Sequence, residues 1–463
     1  MTKLVWRVKL VAEVRPGVVT ETELARIERD EEAGLADLGL RLAEAKQLTA
    51  ALQAEIVPAQ VAAVGKRRRS CSSCGRLLAS KGHYPVTFRS LFGDVPVRVR
   101  RLLVCPCQGQ SEVKSFAALD FGHDAVAPEL AYISARYAAL VPFGKVAVLL
   151  SELLPVSGTH NAGTVRNRTR RVGENVVCQH ATETAKQTVT APTEPVVVGL
   201  DGGYVRSRHP QEERHFEVIA GKVIDAAGGQ HRFAFARNGQ AASAEAFKQA
   251  LAAAGVNAGT AATVLCDGDA GLWRLQRETL PHATLVLDWW HVAVRFEHAL
   301  QSARGLGTGA PDADLADEAV RNLEHAKWRL WHGRWTGCRR KLASLDRWTK
   351  RKHLREIAGV DRLRRHVGEL LGYLERNEHM LVHYAARRRR GEPISTAFVE
   401  SAVNEIVAKR MTKKQQMRWN RTTVQSFLEV RTAVLNDTLE DAFRHRFPGF
   451  RPANDDQFLS DAA

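Results

Sequence analysis

The chain is poor in cysteine, short of acidic residues and free of long unbroken apolar runs. Seven cysteines in 463 residues are too few for the disulfide framework of a secreted scaffold. No apolar run approaches the roughly 20 residues that cross a bilayer. The opening MTKLVWRVKLVAEV lacks the apolar core and cleavage site of a signal peptide. These absences predict a soluble, cytoplasmic protein.

The shortage of acid leaves a strongly basic chain. Its 67 lysines and arginines outnumber 51 aspartates and glutamates, which gives a formal net charge of +16. Such a charge attracts polyanions, and nucleic acid explains it more economically than a membrane surface does. We therefore expect a nucleoid-associated protein with about two to four domains.

Four of the cysteines form two close pairs, Cys71 with Cys74 and Cys105 with Cys107. Two alternating, strand-like runs lie between the pairs, and a hairpin would bring the four thiolates together. Four thiolates are a ligand set of structural zinc, so we predict one Zn²⁺ here, with His83 as a possible substitute ligand. Free thiols in an irregular loop are the alternative. The basic residues before the first pair are candidate DNA contacts or a solvated face: Arg67, Arg68 and Arg69.

The N-terminal segment predicts a strand followed by one long helix. Residues 21–57 are rich in Ala, Leu and Glu, with apolar positions spaced for an amphipathic helix that ends before Pro58. We interpret this helix as a packing or self-association element.

Residues 126–180 predict several helices, and a Pro/Gly turn precedes a last helix with a basic start. This order matches a helix-turn-helix reader of DNA, although a helical spacer with one basic face gives the same pattern. The arginines of that helix are candidate DNA contacts: Arg166, Arg168, Arg170 and Arg171.

From Pro195 the pattern is three hairpin-connected strands, then helix, strand, helix and strand, which predicts a mixed sheet. Asp201 falls on the first strand and Asp267 on the fourth, each after a β-branched run and before glycine. We expect both at the carboxyl ends of adjacent strands, as in an RNase H-like core, with Asp269 as a reserve for Asp267. Taken alone, either Asp-Gly pair is more often a tight turn.

A third acid, Glu400, lies in the helical-looking segment TAFVESAVNEIVAKRM. Two aspartates and a glutamate can hold two Mg²⁺ or Mn²⁺ ions about 3.5–4 Å apart, the arrangement that phosphodiester chemistry uses. Asn404 shares the face of Glu400 at i+4 and could orient it, whereas Glu405 is rotated away and is rejected as a ligand.

A helical insertion, residues 301–390, explains the distance between Asp267 and Glu400. Trp328, Trp331 and Trp335 sit at helical spacing, and such a stripe is usually core. The run from Arg387 to Arg390 predicts a phosphate-contacting loop, or else an ordinary solvated charge run. Further candidate DNA contacts are Arg388, Arg389, Lys409, Arg410, Lys413 and Lys414.

The ordered motifs GLDGG, CDGDAGLW, LDWWH and FVESAVNEIVAKR resemble those of bacterial insertion-sequence DDE transposases of the Kra type, relatives of the Mutator-like group. The resemblance covers nearly the whole chain. It implies Mg²⁺-dependent cleavage at transposon ends and strand transfer into target DNA by Asp201, Asp267 and Glu400. It also implies a homodimer or larger assembly acting on double-stranded DNA.

In related groups a cysteine or aspartate is followed after two residues by histidine, and Asp288 and His291 fit that pattern. Spaced at i and i+3, the two side chains can brace one another. Of the intervening Trp289 and Trp290, we expect one in the core and one free to stack on an unpaired base.

The resulting fold class is an α/β catalytic core with an RNase H-like mixed sheet, interrupted by an all-α insertion and preceded by helical, zinc-ribbon-like and helix-turn-helix modules. The expected divisions are 1–65 (strand and long helix), 66–125 (zinc hairpin), 126–190 (helix-turn-helix and linker), 191–300 (core, first part), 301–390 (insertion), 391–447 (core, second part) and 448–463 (disordered tail).

Together these features predict a DNA transposase that binds its terminal repeats. Two alternatives stay open: a non-catalytic DNA-binding regulator derived from a transposase, and an RNase H-like host nuclease that lacks strand transfer.

Overall fold

The computed structural model describes residues 3–14, 17–31, 34–108, 114–122, 124–156, 158, 160–186, 194–306, 310–351, 354, 357–395, 397–412 and 417–451. The side chains of residues 14, 18, 180–186, 310–313, 397, 398 and 400 lie outside the described set. The chain divides into two compact units, Met1–Glu174 with Asp437–Ala463, and Asn175–Asn436. The protein is mixed α/β.

The first unit opens with an antiparallel hairpin of β1 (Lys3–Val14) and β2 (Val18–Asp30). The prediction of helix from residue 21 is therefore wrong up to Leu42, where α1 begins: residues 21–30 are in β2, and the described residues between the two elements form a turn and a short 3-10 helix (Leu35–Asp37). Their glutamates face cations across the hairpin, as in Lys9–Glu21 at 3.0 Å and Arg7–Glu23 at 3.8 Å. Cross-strand contacts between opposite charges add to the stability of the hairpin, and pairing with β1 along the whole strand gives these residues the extended conformation.

Helix α1 (Leu42–Arg67) passes through Pro58 instead of ending before it. Its Val57 and Val61 pack on Val97 and Val99 of the neighbouring sheet. We attribute the tolerance of Pro58 to this tertiary packing, which offsets the backbone hydrogen bond that proline removes.

That sheet contains β3 (Ser80–Ser90), β4 (Gly93–Leu103) and β5 (Ser115–Ala117), in the order β3-β4-β5 with antiparallel pairs. The hairpin predicted between the cysteine pairs is thus present. His83 pairs with Arg100 in the middle of this hairpin.

One helix among the described residues is long and apolar enough to cross a membrane by length and composition, the segment Leu35–Arg67. The expectation that no segment comes near this limit therefore needs correction. A single such helix is weak evidence for a span, because helices of soluble proteins pass the same test. Its packing on β4 is compatible with a soluble protein.

Helices α2 (Pro128–Leu140), α3 (Phe143–Leu153) and α4 (Ala162–Lys186) follow, and the boundary between the two units falls within α4, after Glu174. Asn161 precedes α4, and its side chain accepts a hydrogen bond from the Thr164 amide at 3.0 Å. This is the N-cap contact that starts a helix. Thr159 and most of the segment after α4 lie outside the described residues.

The second unit contains the mixed sheet, and its elements follow the predicted order: β6 (Val196–Arg206), β7 (His215–Ile224), β8 (Gln230–Ala236), α5 (Gln240–Ala253), β9 (Ala262–Cys266), α6 (Ala270–Thr279) and β10 (Thr284–Leu287). The spatial order is β10-β9-β6-β7-β8. Strands β6, β7 and β8 are antiparallel, whereas β9 and β10 run parallel to β6.

One face of this sheet packs on α5 and α6, where Val198 and Leu200 share a buried core with Phe247 and Leu272. The apolar sequences of the strands follow from the burial of the sheet. Central parallel strands are covered on both faces, so their sequences are nearly continuous in apolar residues.

After β10 the chain forms helices α7 (Trp289–Arg304), α8 (Ala310–Trp331), α9 (Trp335–Thr349), α10 (Val360–Arg376) and α11 (Tyr384–Arg389). Their buried residues join those of β9 and β10 in one cluster that includes Leu287, Phe296, Leu323 and Leu370. The insertion is therefore fixed to the sheet by a shared core.

Two expectations about this helical region are wrong. Trp328 and Trp331 lie on α8 but Trp335 begins α9, because the chain turns at Gly333, which has φ +69°. Trp328 is 53% exposed and so is not core. The run Arg387–Arg390 ends helix α11 and is not a loop.

The last part of the unit returns to the sheet through α12 (Ala397–Val403), a π-helix (Asn404–Thr412) and α13 (Val424–Leu435). Helix α12 packs on β6 and β7, and α13 packs on β8. The Asn436 side chain donates to the Arg232 carbonyl at 2.8 Å and accepts from its amide at 2.9 Å.

The final helix, α14 (Leu439–Arg446), belongs to the first unit. Its Phe443 contacts Tyr132 of α2 and Phe450, with ring centroids 5.4 and 5.3 Å away. Phe450 is 3% exposed, so packing continues past the point where a disordered tail was expected. Residues 452–463 lie outside the described residues.

Leu200 tests whether the β6 core positions the sheet. Leu200→Ala should lower the free energy of unfolding by about 2–5 kcal/mol, because it removes buried apolar atoms and leaves a cavity in the core. Leu35→Ala, at an 88% exposed position, should change it by less than about 0.5 kcal/mol. Denaturant unfolding of both variants measures the difference, and equal midpoints would contradict the described core.

Candidate active site and metal centre

Three aspartates are level with one another across the parallel strands. The register that pairs Gly199 with Leu265 aligns Asp201 with Asp267 when it is continued two residues. The register that pairs Leu287 with Cys266 likewise aligns Asp288 with Asp267. We call this row of three residues the acidic edge. Asp267 directly follows β9, as predicted, and Asp288 directly follows β10.

Asp201 departs from the prediction in one respect, because β6 continues beyond it to Arg206. Its position is the end of the parallel pairing with β9, not the end of the strand. Burial raises the pKa of the Asp201 carboxyl, the Gly202 amide lowers it, and the charge of Asp267 raises it further, so that the net shift is upward. Two half-buried carboxylates in electrostatic contact favour a bound cation.

Asp267 sits in a loop that the insertion braces. Its side chain accepts from the Asp269 amide at 2.9 Å, and its carbonyl accepts from the Tyr373 hydroxyl at 2.8 Å. Gly268 has φ +86°, and a Cβ there would lie 2.7 Å from the Asn377 amide nitrogen. Only glycine fits that conformation and space without rearrangement.

Asp269, the alternative to Asp267 as a metal ligand, caps a helix. Its side chain is the N-cap of α6 and accepts from the Gly271 and Leu272 amides at 2.9 and 3.0 Å. Arg237 lies 3.5 Å away. All three contacts are made to the same carboxylate oxygen, Oδ1, so the side chain of Asp269 serves as the cap of α6, whereas Asp267 directly follows β9.

Asp288 and His291 form a close pair at the start of α7. Asp288 is fully buried; one carboxylate oxygen accepts from the Trp290 amide at 2.8 Å, and the other lies 2.7 Å from His291 Nδ1. Burial lowers the pKa of His291, but the hydrogen bond and charge of Asp288, with the charges of the other two acids, raise it overall. The pair thus places an imidazole with a raised pKa at the acidic edge.

Helix α12 brings the backbone of Glu400 to the same face of β6 as Asp201. Side chains of a strand alternate between faces, so Asp201 and Gly203 share one. A Cβ on Gly203 would lie 3.2 Å from Cγ1 of Val403, one helical turn after Glu400. The Glu400 side chain itself lies outside the described residues.

Glu405 is occupied elsewhere, in agreement with its rejection as a ligand. It lies 2.9 Å from Arg232 and 3.7 Å from Lys222. Burial raises the pKa of Glu405, but the hydrogen bond from Arg232 and the charge of Lys222 lower it below its ordinary value. Asn404 is the first residue of the π-helix, a rare geometry that sequence periodicity did not predict and that is frequent at functional sites.

The structure distinguishes the two tryptophans after Asp288. Trp289 lies 4.7 Å from the rings of both Trp331 and Tyr384 and packs on the core. Trp290 is 46% exposed, and its ring meets His291 edge-on at 4.9 Å. Trp290 is therefore the candidate for stacking on a base.

The predicted cysteines come together in the first unit. The sulfurs of Cys71 and Cys107 are 3.7 Å apart, those of Cys74 and Cys105 are 3.5 Å apart, and all four lie within 4.8 Å of one another. This cluster could hold a metal ion, and four sulfurs in this range suit tetrahedral zinc. Among the side chains that the structure describes, the acidic edge does not form a comparable group of three.

Local backbone geometry builds the cluster. The Cys71 carbonyl accepts from the Gly75 amide at 2.9 Å, a turn that Gly75 closes with φ +70°. Hydrogen bonds from the Cys74 and Ser73 amides lower the pKa of the Cys71 thiol to about 6. Such amide donors favour the thiolate that binds metal.

The candidate phosphate contacts divide by burial. Two are corrected: Arg168 is 6% exposed and donates to Ser134, while Arg410 is fully buried against Trp419 and Phe427. A buried guanidinium cannot reach a phosphate without unfolding its surroundings. Lys413 and Lys414 lie outside the described residues. The exposed members are Arg67, Arg68, Arg69, Arg166, Arg170, Arg171, Arg388, Arg389 and Lys409.

Sequence reasoning missed the residues that brace the acidic edge. The Tyr373 hydroxyl binds the carbonyl of Asp267, and the Tyr384 hydroxyl donates to the Leu287 carbonyl at 2.9 Å. Both lie in helices, where the sequence pattern predicts that an aromatic residue is buried in the core but does not reveal a hydrogen bond. Their hydroxyl groups were the one available hint, because a buried tyrosine needs a partner.

Comparison with known proteins gives no assignment: no family model matches the chain, and no curated protein matches it.

Removing one cysteine tests the metal centre. We expect one zinc per chain in the purified protein and none in Cys105→Ser, with a lower melting temperature, because structural zinc sites contribute about 10–16 kcal/mol of binding in small domains. Cys178→Ser, at an exposed position outside the cluster, should keep its metal. Elemental analysis gives the answer, and zinc-free protein after metal-sparing purification would refute the site.

Asp201→Asn tests the electrostatics of the acidic edge. Because the pKa of Asp201 is raised in the folded state, its ionised form costs stability that accumulates as the pH rises through that pKa. The variant should therefore melt at a higher temperature than wild type at pH 7, without added metal. The gain should vanish at acidic pH, where both states bind the proton. Equal melting temperatures of the variant and the wild type across this pH range would show that ionisation of Asp201 does not destabilise the folded state.

Proposed function

We propose that the protein is a DNA transposase that cuts the ends of a mobile element and joins them to target DNA, with Asp201, Asp267 and Glu400 as catalytic residues. The observation that carries this proposal is that Asp201 and Asp267 interact electrostatically just beyond the last paired residues of the parallel strands β6 and β9, with the helix of Glu400 packed over β6.

The sheet supports an RNase H-like core. Three antiparallel strands are followed by two parallel ones added beside the first, in the order β10-β9-β6-β7-β8. The acids lie where the parallel strands end, the usual place of function in such sheets. The helices α8 to α11 intervene before the helix of the third acid, as the all-α insertion requires.

The donors at the acidic edge fit Mg²⁺ or Mn²⁺. Carboxylate oxygens are the ligands that these ions prefer, and the mutual repulsion of Asp201 and Asp267 would be relieved by a cation. Two bound ions would supply activation of the attacking water or 3′-hydroxyl and stabilisation of the leaving oxygen. Glu400 would complete the ligand set.

The neighbours of these acids have separate roles. His291, whose Nδ1 is held 2.7 Å from Asp288, would contact a phosphate oxygen beside the cleaved bond. Trp290 would stack on a base displaced from the duplex. Neither role requires contact with the ions.

DNA recognition would come from the first unit. Arg67, Arg68 and Arg69 are exposed directly before the cysteine cluster, which would fix their positions once zinc is bound. Helices α3 and α4 would act as the helix-turn-helix element, with Arg166 and Arg170 exposed on α4. Phosphate contacts of this kind make affinity fall steeply with salt.

Charge-neutral variants of the acids test the enzyme. Asp201→Asn, Asp267→Asn and Glu400→Gln should each lower metal-dependent cleavage of transposon-end DNA at least about 1,000-fold, since two-metal chemistry needs every ligand. End binding measured in chelator should stay near wild type. Asp225→Asn, in the turn between β7 and β8 at the opposite edge of the sheet, should cleave normally. Cleavage by all three acid variants would exclude this site.

A second assay separates transposase from nuclease. Supplied with pre-cleaved ends that carry a 3′-hydroxyl, wild-type protein should produce joined DNA with a target plasmid, and Asp267→Asn should not. Cleavage without any joined product would favour a host nuclease. Binding without cleavage by wild type would favour a regulator.

A further inference from the structure

An open groove runs along the helical insertion. It has a volume of about 470 Å³ and lies between α7, α8 and α11 of the second unit. Three tryptophans and three cations contribute to its walls: Trp289, Arg304, Lys327, Trp328, Trp331 and Arg388. We call it the tryptophan groove.

Its aromatic rings are held on a rigid support. Trp331 and Trp289 pack at 4.7 Å, and Trp331 stacks on the buried Tyr384 at 6.3 Å with an interplanar angle of 10°. Trp328, by contrast, is 53% exposed, one turn before Trp331 on the same helix. An indole that is open to solvent beside a fixed aromatic wall is a ready stacking platform.

The charges of the groove suit a strand of nucleic acid. Arg304 is paired with Glu297 at 3.1 Å. Lys327 and Arg388 are in no ion pair among the side chains that the structure describes. The remaining acid, Glu324, lies one turn before Trp328 and could accept from the exocyclic amine of a base. Arg388 also lies over the Trp331 ring, 6.0 Å from its centroid. Two cations outside ion pairs, next to aromatic rings, suit the phosphates and bases of a strand.

The shape of the groove favours a single strand. Its α7 wall extends from Trp289 to Arg304, about 22 Å at 1.5 Å per residue, which exceeds the size of one base. Aromatic side chains stack readily on the bases of an unpaired strand, whose faces are open. The groove also begins beside the acidic edge, because Trp289 directly follows Asp288.

We propose that the tryptophan groove binds a short unpaired segment of DNA next to the cleavage site, with a base stacked on Trp328 and phosphates contacted by Lys327 and Arg388. Its position relative to the reaction rests on the proposed function. The binding itself requires neither metal nor cleavage. It would hold the end of the cut strand apart from its complement.

The test uses full-length protein in chelator with two DNAs: a blunt duplex, and the same duplex with a six-nucleotide 3′ overhang that contains 2-aminopurine. Wild type should bind the overhang DNA more tightly and quench its fluorescence by stacking. Trp328→Ala should lose about fivefold or more of the overhang affinity and most of the quenching, while blunt-duplex affinity stays unchanged. Trp6→Ala, at a 50% exposed position in β1, is the matched control.

Two further variants test the proposal without relying on the folding of Trp328→Ala. Lys327→Gln and Arg388→Gln should each reduce the slope of log affinity against log salt for the overhang DNA by about one. Unchanged quenching in Trp328→Ala, or equal losses on both DNAs, would overturn the proposal. Loss of quenching in Trp328→Ala together with no cleavage by wild type would retain the groove and reject the transposase.

Discussion

The register of three parallel strands is the constraint on which the candidate site depends. Strand side chains alternate between faces, so a slip of one residue in β6, β9 or β10 would move an aspartate to the opposite face of the sheet. Buried residues before each acid prevent such a slip, since Leu200, Cys266 and Leu287 are fully buried. A carboxylate that is costly to bury is therefore held in place by the apolar residue that precedes it. The site's geometry is a by-product of the core beneath it.

The helical insertion completes this arrangement from the other side. Tyr373 and Tyr384 bind backbone carbonyls at the ends of β9 and β10, so each strand end is fixed by a hydroxyl group from a different helix. The Gly268 turn leaves room for Asn377, whose side chain in turn donates to the Tyr373 carbonyl at 2.9 Å. These contacts explain why so long a segment can interrupt the core without disturbing it. The insertion supports the acidic edge and, in the tryptophan groove, offers a surface of its own.

Much of this architecture could be predicted from local sequence. The order of elements from β6 to β10 follows from runs of apolar residues and turn residues. The clustering of the four cysteines follows from the position of the two close pairs at the ends of a hairpin. Predictions failed where tertiary contacts decided the outcome. Residues 21–30 have helical composition but pair as a strand with β1. Arg168 and Arg410 have the composition of a binding surface, yet both are buried by aromatic or polar partners that lie distant in sequence or on another element. The π-helix after Val403, the burial of Trp289 and the exposure of Trp290 likewise depend on neighbouring residues that sequence periodicity does not reveal.

The hydrogen bonds between Asn436 and Arg232 join residues 204 positions apart. They have a consequence for how the chain is made. Contacts between such distant positions form late, because a long loop must close before they stabilise anything. Strands β6 to β8 leave the ribosome well before the helices that cover them, so their outer face waits for α12 and α13 to be synthesised. A chain that ended before α12 would contain Asp201 and Asp267 but not Glu400, so these three acids can come together only once translation has passed that helix.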